Sequence, residues 1–190
     1  MSLILASTSA IRRQMLDAAG VRYEAVKPDV DEDVLKQRLD DPATIALELA
    51  KAKASSVAGE AWVIGSDSVV AVEGRQFNKP HDRDEAAEHL RFFSGKTMRL
   101  TSAVALARGG TVEWSIADTA ELSVRPLSDA FIGAYLDAEW PEVGYCVGVF
   151  RMEGRGVQLF DRIDGSYFTI LGMPLLPLLG ALRDRGLIAA

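Results

Sequence analysis

The chain has one cysteine, two histidines and fewer basic than acidic side chains, and each shortage excludes a class of protein. Because Cys146 has no second cysteine to pair with, an internal disulfide is excluded and a reducing cytoplasm is the expected location. The net charge of −6 disfavours nucleic acid and anionic membranes as partners. No uninterrupted apolar run is long enough to span a bilayer. His81 and His89 lack the neighbours of a catalytic triad or a zinc site.

What the chain does have is enough apolar sequence for one domain over residues 1–190, since 48% of the residues are hydrophobic. Apolar runs and a glycine turn at 108–110 indicate strands, and 3.6-residue periodicity with capping residues indicates helices. The predicted strands are residues 3–6, 21–26, 61–72, 98–107, 111–124 and 157–163. The predicted helices are residues 10–19, 42–58, 82–94, 128–137 and 174–185. This order predicts an α/β protein with a mixed sheet and flanking helices.

The first candidate site lies at residues 3–13, where an apolar strand leads into a hydroxyl-rich turn and two arginines. Ser9 is in position to cap the following helix. Backbone N–H groups and the guanidinium groups of Arg12 and Arg13 would then converge, and this arrangement binds phosphate. The alternative is a capped amphipathic helix with solvated arginines.

Asp67 is the second candidate because it interrupts the apolar run 62–70. A buried carboxylate needs a cation or a hydrogen-bond network. The alternative is that Asp67 only caps a turn where the strand breaks at Gly65.

Three further charged residues have both an ordinary and a functional interpretation. Glu32 lies in the acidic run 29–33, which is either a solvated loop or a site for a hard cation such as Mg²⁺. The Asp29-x-Asp31 pair in that run matches a haloacid-dehalogenase nucleophile only superficially, because no buried strand precedes it. Lys53 lies on the buried face of its predicted helix, and Lys79 lies in an Asn-Lys-Pro turn, although most lysines are simply solvated.

Taken together, these segments resemble the Maf family of nucleoside-triphosphate pyrophosphatases over essentially the whole chain. The opening motif is Leu-Ala-Ser-x-Ser-Pro followed by an arginine pair, with Ala10 here in place of proline. The other matching segments, in order, are Asp31-Glu32, Lys53-Ala54, Gly65-Ser66-Asp67-Ser68, Asn78-Lys79-Pro80, Ser94-Gly95-Lys96, Asp164-Gly165 and Gly172-Met173-Pro174-Leu175.

The resemblance implies a Maf/ITPase-like mixed β-sheet with two lobes around a central cleft, a homodimer, and a nucleotide site. In that site Asp67 is the catalytic residue, and Glu32 and Asp67 bind a divalent cation, Mg²⁺ or Mn²⁺. Whether Asp67 acts as general base or only as metal ligand stays open. The residues implied to bind substrate phosphates are Ser7, Ser9, Arg12, Arg13, Lys53 and Lys79.

The activity implied is hydrolysis of a nucleoside triphosphate to the monophosphate and pyrophosphate. The implied role of this reaction is to remove non-standard or surplus nucleotides. Two alternatives remain: a nucleotide-binding regulator of cell division without turnover, and a general phosphatase that releases orthophosphate. Ile11, Ser68 and Glu153 are the implied specificity residues. The extra Ile11 and the Glu153 segment are closer to the 7-methyl-GTP branch, although Ile11 replaces an aromatic residue and Ser68 replaces a glutamine.

Overall fold

The computed structural model describes residues 2–36 and 39–189, and these residues form seven strands and seven α-helices. The strands are β1 (Leu3–Ala6), β2 (Glu24–Val26), β3 (Trp62–Val72), β4 (Arg75–Phe77), β5 (Thr97–Arg108), β6 (Thr111–Val124) and β7 (Phe160–Asp164). The α-helices are α1 (Ala10–Ala18), α2 (Glu32–Lys36), α3 (Pro42–Ser55), α4 (Arg83–Phe93), α5 (Asp129–Glu139), α6 (Tyr167–Leu171) and α7 (Leu175–Asp184). Two 3₁₀ turns cover Glu142–Tyr145 and Arg155–Leu159.

The strands form one mixed sheet in the order β2-β1-β3-β5-β6-β7, and β4 pairs with β3. β1 is parallel to both of its neighbours, so that Leu5 lies opposite Ala25 on one side and Ile64 on the other. β4 is antiparallel to β3, and β7 is antiparallel to β6. The prediction of a mixed α/β sheet is confirmed.

The chain forms two compact units, and three long strands contribute residues to both. The first unit contains the chain up to Ser68, Thr101–Thr119, and the chain from Ser166 onward. Its core is built from β1, β3, β5, α1 and α7, with Leu5, Leu16, Ile64, Leu106 and Leu178 among its buried side chains.

The second unit contains Val69–Leu100 and Ala120–Gly165, and in it α4 contacts α5. Its largest fully buried side chains are Leu90, Phe93, Met98, Leu122, Ile132 and Leu136.

Local hydrogen bonds explain why three predicted helices begin where they do. Asp41 accepts from the Thr44 N–H at 2.8 Å, and Ser128 accepts from the Phe131 N–H at 3.2 Å. Asp82 accepts from the Glu85 N–H at 2.8 Å, although the reciprocal bond of this capping box goes to His81 instead of to Asp82. None of the described helices combines the length and apolarity needed to cross a membrane.

The glycine turn between β5 and β6 is also as predicted. Gly109 and Gly110 have φ of 55° and 75°, the left-handed values that a two-residue hairpin turn requires at both positions.

Three predicted segments differ from the structure, and the strand predicted over residues 157–163 is a fourth. β2 starts only at Glu24, because only Glu24–Val26 pair with β1, from Ile4 to Ala6. α3 ends at Ser55, before the predicted residue 58, because Ser56 folds back and its N–H and hydroxyl both donate to the Lys53 carbonyl. Glu32 begins helix α2, so the loop interpretation of the acidic run is wrong there.

The predicted strand 157–163 is wrong over its first half. Residues Arg155–Leu159 form a 3₁₀ turn, and β7 starts at Phe160. The reason is the backbone at Gly156, where a Cβ would lie 2.5 Å from the Arg151 carbonyl oxygen. Only a residue without a side chain permits this close approach, so the chain turns back on itself before the strand begins.

Candidate active site

The first unit brings three of the predicted site residues into direct contact around one ammonium group. Lys53 Nζ lies 2.5 Å from Asp67 Oδ1 and 2.7 Å from Glu32 Oε1. Lys53 and Asp67 are both 7% exposed, whereas Glu32 is half-buried. The cation that the buried Asp67 requires is therefore Lys53, and the interpretation of Asp67 as a simple turn cap does not account for this pair.

The close approach of α3 to β3 explains how the lysine reaches the aspartate. A Cβ on Gly65 would lie 2.2 Å from the Ala50 carbonyl oxygen and 2.3 Å from the Ala54 nitrogen. Because Gly65 has no side chain, the helix lies against the strand, and Lys53 on its buried face extends to Asp67, two residues along β3. The small residues beside Asp67 thus determine the position of its partner.

Arg12 joins the same group from α1. Burial lowers the pKa of its guanidinium group, while the charges of Asp67 and Glu32 act in the opposite direction. Its Nε donates to the Gly172 carbonyl at 2.9 Å and its Nη2 donates to Ser68 Oγ at 3.0 Å. Arg12 and Lys53 therefore supply two positive charges beside two carboxylates.

The turn before α1 is arranged differently from the prediction. Ser9 occupies the N-cap position, but its hydroxyl makes no capping hydrogen bond, because its N–H donates to Ser7 Oγ at 3.2 Å and the turn closes through Ser7 instead. Arg13 Nη2 donates to the Ser7 carbonyl at 3.4 Å, and its Nε is buried without a partner among the described residues. Ile11 is half-buried on α1.

Two predicted site residues, Lys79 and Glu153, belong to the second unit, and both are exposed. Within that unit the charges of both act on the same thiol, that of Cys146. Burial is the main cause that raises the pKa of Cys146, Glu153 acts in the same direction and Lys79 in the opposite one, and together the surroundings raise this pKa to about 11. Cys146 therefore stays protonated at neutral pH, which argues against a nucleophilic role.

The structure adds residues that the sequence analysis did not assign. Ser66, Ser102 and Thr169 are fully buried. Ser66 Oγ donates to the Gly172 carbonyl that also accepts from Arg12, and Ser102 Oγ donates to the Thr169 carbonyl. The sequence feature that could have identified them is the hydroxyl of Ser102 next to an apolar run in a predicted strand, since a buried hydroxyl needs a hydrogen-bond partner.

The carboxylates of Glu32 and Asp67 are suited to bind a divalent cation that takes its other ligands from a bound molecule. Glu32 and Asp67 already share one positive group, and Mg²⁺ is commonly held by one or two carboxylates together with substrate phosphates and waters. Within residues 2–36 and 39–189, no cluster of three His, Cys, Asp or Glu side chains is arranged to hold a metal on its own. Glu32 and Asp67 could therefore hold a metal whose remaining ligands come from outside the chain.

Comparison with solved structures defines the class of fold. The Ham1 protein of Staphylococcus aureus superimposes with a TM-score of 0.51 over 98% of this chain and 100% of its own, at 12% identity. The mixed sheet with flanking helices is therefore the Ham1 type of α/β fold.

The chain belongs to the Maf family, because the sequence model of that family, described as Maf-like protein, matches residues 2–185. The 7-methyl-GTP pyrophosphatase of Rhizobium meliloti (strain 1021) is 48% identical, over 99% of this chain and 98% of that protein. The nucleoside triphosphate pyrophosphatase of Sphingopyxis alaskensis is 46% identical, over 98% of each chain. The family resemblance predicted from the motifs is confirmed.

Proposed function

We propose that this protein hydrolyses a nucleoside triphosphate to the nucleoside monophosphate and pyrophosphate. The observation that carries the proposal is the contact of Lys53 with both Asp67 and Glu32 beside Arg12. Relatives of 46–48% identity over nearly the full length are named as pyrophosphatases of nucleoside triphosphates, which supports the same reaction here.

The reaction needs charge neutralisation and one positioned water more than it needs covalent chemistry. Water adds at the anhydride between the α- and β-phosphates, the bridging P–O bond breaks, and pyrophosphate leaves. Arg12 and Lys53 would neutralise the phosphate oxygens, with Ser7, Ser9, Arg13 and Lys79 as the further phosphate ligands that the resemblance implies. Asp67 would orient or deprotonate the water.

We also propose that the reaction uses a divalent cation, Mg²⁺ or Mn²⁺, held by Glu32 and Asp67. When bound, the ion would neutralise phosphate charge and lower the pKa of coordinated water. Lys53 holds these two carboxylates close together, so the chain has the oxygen donors side by side before any ligand arrives.

The decisive experiment is product analysis with the parent protein and Asp67→Asn. With a panel of nucleoside triphosphates and Mg²⁺, the parent should release pyrophosphate, and Asp67→Asn should retain nucleotide binding but lose nearly all turnover. Asp184→Asn, an exposed change at the end of α7, is the matched control and should behave as the parent. Orthophosphate as the first product would indicate a general phosphatase, and binding without turnover in the parent would indicate a regulator.

The metal proposal has its own test in Glu32→Gln. Removing one charge should raise the Mg²⁺ concentration needed for half-maximal activity. An unchanged Mg²⁺ dependence would show that Glu32 is not a metal ligand.

We propose 7-methyl-GTP, or another modified nucleotide, as the preferred substrate, with Glu153 as the residue that recognises the base. The exposed carboxylate can accept hydrogen bonds from the guanine edge and complement the positive charge of a 7-methylated ring. Glu153→Gln should reduce kcat/KM for 7-methyl-GTP relative to GTP, dTTP, UTP and 5-methyl-UTP. The nearby exposed Glu142→Gln serves as the control. A parent that prefers dTTP or UTP would contradict the proposal.

Two properties of the working protein complete the proposal: association as a homodimer and location in the cytoplasm. The family resemblance supports the first, and a single cysteine is compatible with the second. Light scattering of the purified protein tests the dimer, and fractionation of cells that express it tests the location.

A further inference from the structure

Arg12 is held by hydrogen bonds on one side only. Its Nε and Nη2 donate to the Gly172 carbonyl and to Ser68 Oγ, at 2.9 and 3.0 Å. Its Nη1 makes no hydrogen bond with any residue of the described chain. One edge of the guanidinium group is thus fixed by the protein, while the other retains donors for a ligand.

The hydroxyl of Ser68, which accepts the hydrogen bond from Arg12 Nη2, belongs to a longer chain of hydrogen bonds. Ser102 Oγ donates to the Thr169 carbonyl at 2.7 Å. Because a hydroxyl has one proton, Ser68 must be the donor in the 2.8 Å contact between Ser68 Oγ and Ser102 Oγ. The oxygen lone pairs of Ser68 are then available to Arg12. Ser68 Oγ also lies 3.2 Å from the Gly172 carbonyl, a longer contact than the one with Ser102, so its proton has two acceptors and its lone pairs still receive Arg12.

The far end of this chain of hydrogen bonds is buried and held by a further hydrogen bond. Ser102 and Thr169 are fully buried, and Thr169 Oγ1 donates a second anchoring bond to Asp118. Gly172 has φ of 112°, and a Cβ there would lie 3.3 Å from Ser68 Oγ. The carbonyl that binds Arg12 is therefore held in a conformation that residues with side chains rarely adopt.

We infer that Ser68 and Ser102 are positioning residues for Arg12, which hold its guanidinium group in one orientation toward the phosphate chain of the ligand. This inference rests on the proposed function, which supplies the ligand. It means that Ser68 contributes to phosphate binding through Arg12 and not to recognition of the base. Arginine loses considerable rotamer freedom when it binds an anion, and an arginine that is already fixed loses less. The contribution of Ser68 and Ser102 to substrate binding should therefore be the same for every nucleobase.

The test measures binding of inorganic triphosphate by calorimetry, together with kcat/KM for several nucleoside triphosphates. Ser68→Ala and Ser102→Ala should each weaken triphosphate binding about tenfold, the effect expected when a hydrogen bond in a network with a charged group is lost. Both should lower kcat/KM by a similar factor for all bases. In an Arg12→Ala background, Ser102→Ala should have no further effect, because the group that it positions is gone.

Thr101→Val is the matched control. Thr101 is equally buried on the same strand, but its hydroxyl pairs with Thr119 at 2.8 Å and does not touch this chain of hydrogen bonds. It should leave triphosphate affinity unchanged. Thermal unfolding of each variant confirms that the protein assayed is folded.

Three results would overturn the inference: no triphosphate binding by the parent, additive effects of Ser102→Ala and Arg12→Ala, or a loss in Ser68→Ala that depends on the base. The last would mean that Ser68 contacts the base directly. Triphosphate binding with the expected variant effects but without pyrophosphate release would contradict the proposed function and leave the positioning role supported.

Discussion

Replacing Gly65 by alanine tests whether the close approach of α3 to β3 holds both the fold and the site. The added Cβ would lie 2.2 Å from the Ala50 carbonyl oxygen, and 2.3 and 2.9 Å from the nitrogen and Cα of Ala54. All three atoms are backbone atoms of α3, so no change of rotamer can relieve the overlap. The helix must move away from the strand by about 1.2–1.8 Å to restore ordinary contact distances.

The cost should be at the upper end of the range for overpacked cores, about 3 kcal/mol, because both surfaces are backbone. In a protein of this size each kcal/mol shifts Tm by roughly 2–4 °C, which gives a decrease of roughly 6–12 °C. Activity should fall more than the folded fraction does, because Lys53 moves with α3 and its 2.5 Å contact with Asp67 lengthens.

The assay is thermal unfolding together with activity per folded molecule, and Gly133→Ala is the matched control. Gly133 lies inside α5, and a Cβ there meets no atom within 4 Å. The control should be stabilised by about 0.5–1 kcal/mol, since alanine is the better helix residue. Equal Tm values for Gly65→Ala and the parent would refute the reasoning.

Three other changes test separate parts of the structure. Lys53→Met should cost about 3–5 kcal/mol in urea unfolding by leaving the buried Asp67 carboxylate unpaired, and an unchanged midpoint would contradict this. Burial lowers the pKa of His89 in the folded protein. As the pH falls, the unfolded chain therefore binds a proton at His89 before the folded protein does, and stability should fall below about pH 6.5. His89→Gln should lose that part of the pH dependence, and parallel stability curves for the variant and the parent would count against the effect. Tyr135→Phe should cost about 1–3 kcal/mol, because it removes the 3.0 Å bond to the buried Val149 carbonyl, and measured unfolding free energies check it.

The helices and strands that the sequence predicted well are those whose determinants are local. Asp82 and Ser128 stand at helix starts with their capping bonds as expected, and the Gly109-Gly110 pair forms the hairpin turn. The prediction was wrong where contacts outside an element decide its length. β2 is limited to the three residues that pair with β1, and residues 155–159 turn because the backbone of Gly156 meets that of Arg151.

By itself the sequence determined that Asp67 needs a cation or a hydrogen-bond network as its partner, since a carboxylate inside an apolar strand cannot stay unpaired. It also determined the family, through ordered short motifs that the match over residues 2–185 confirms. Only the tertiary structure decided that this partner is Lys53, which also holds Glu32, and that Ser68 and Ser102 hold Arg12. These contacts join residues 14 to 56 positions apart, and such pairings follow from how strands and helices pack, not from local spacing.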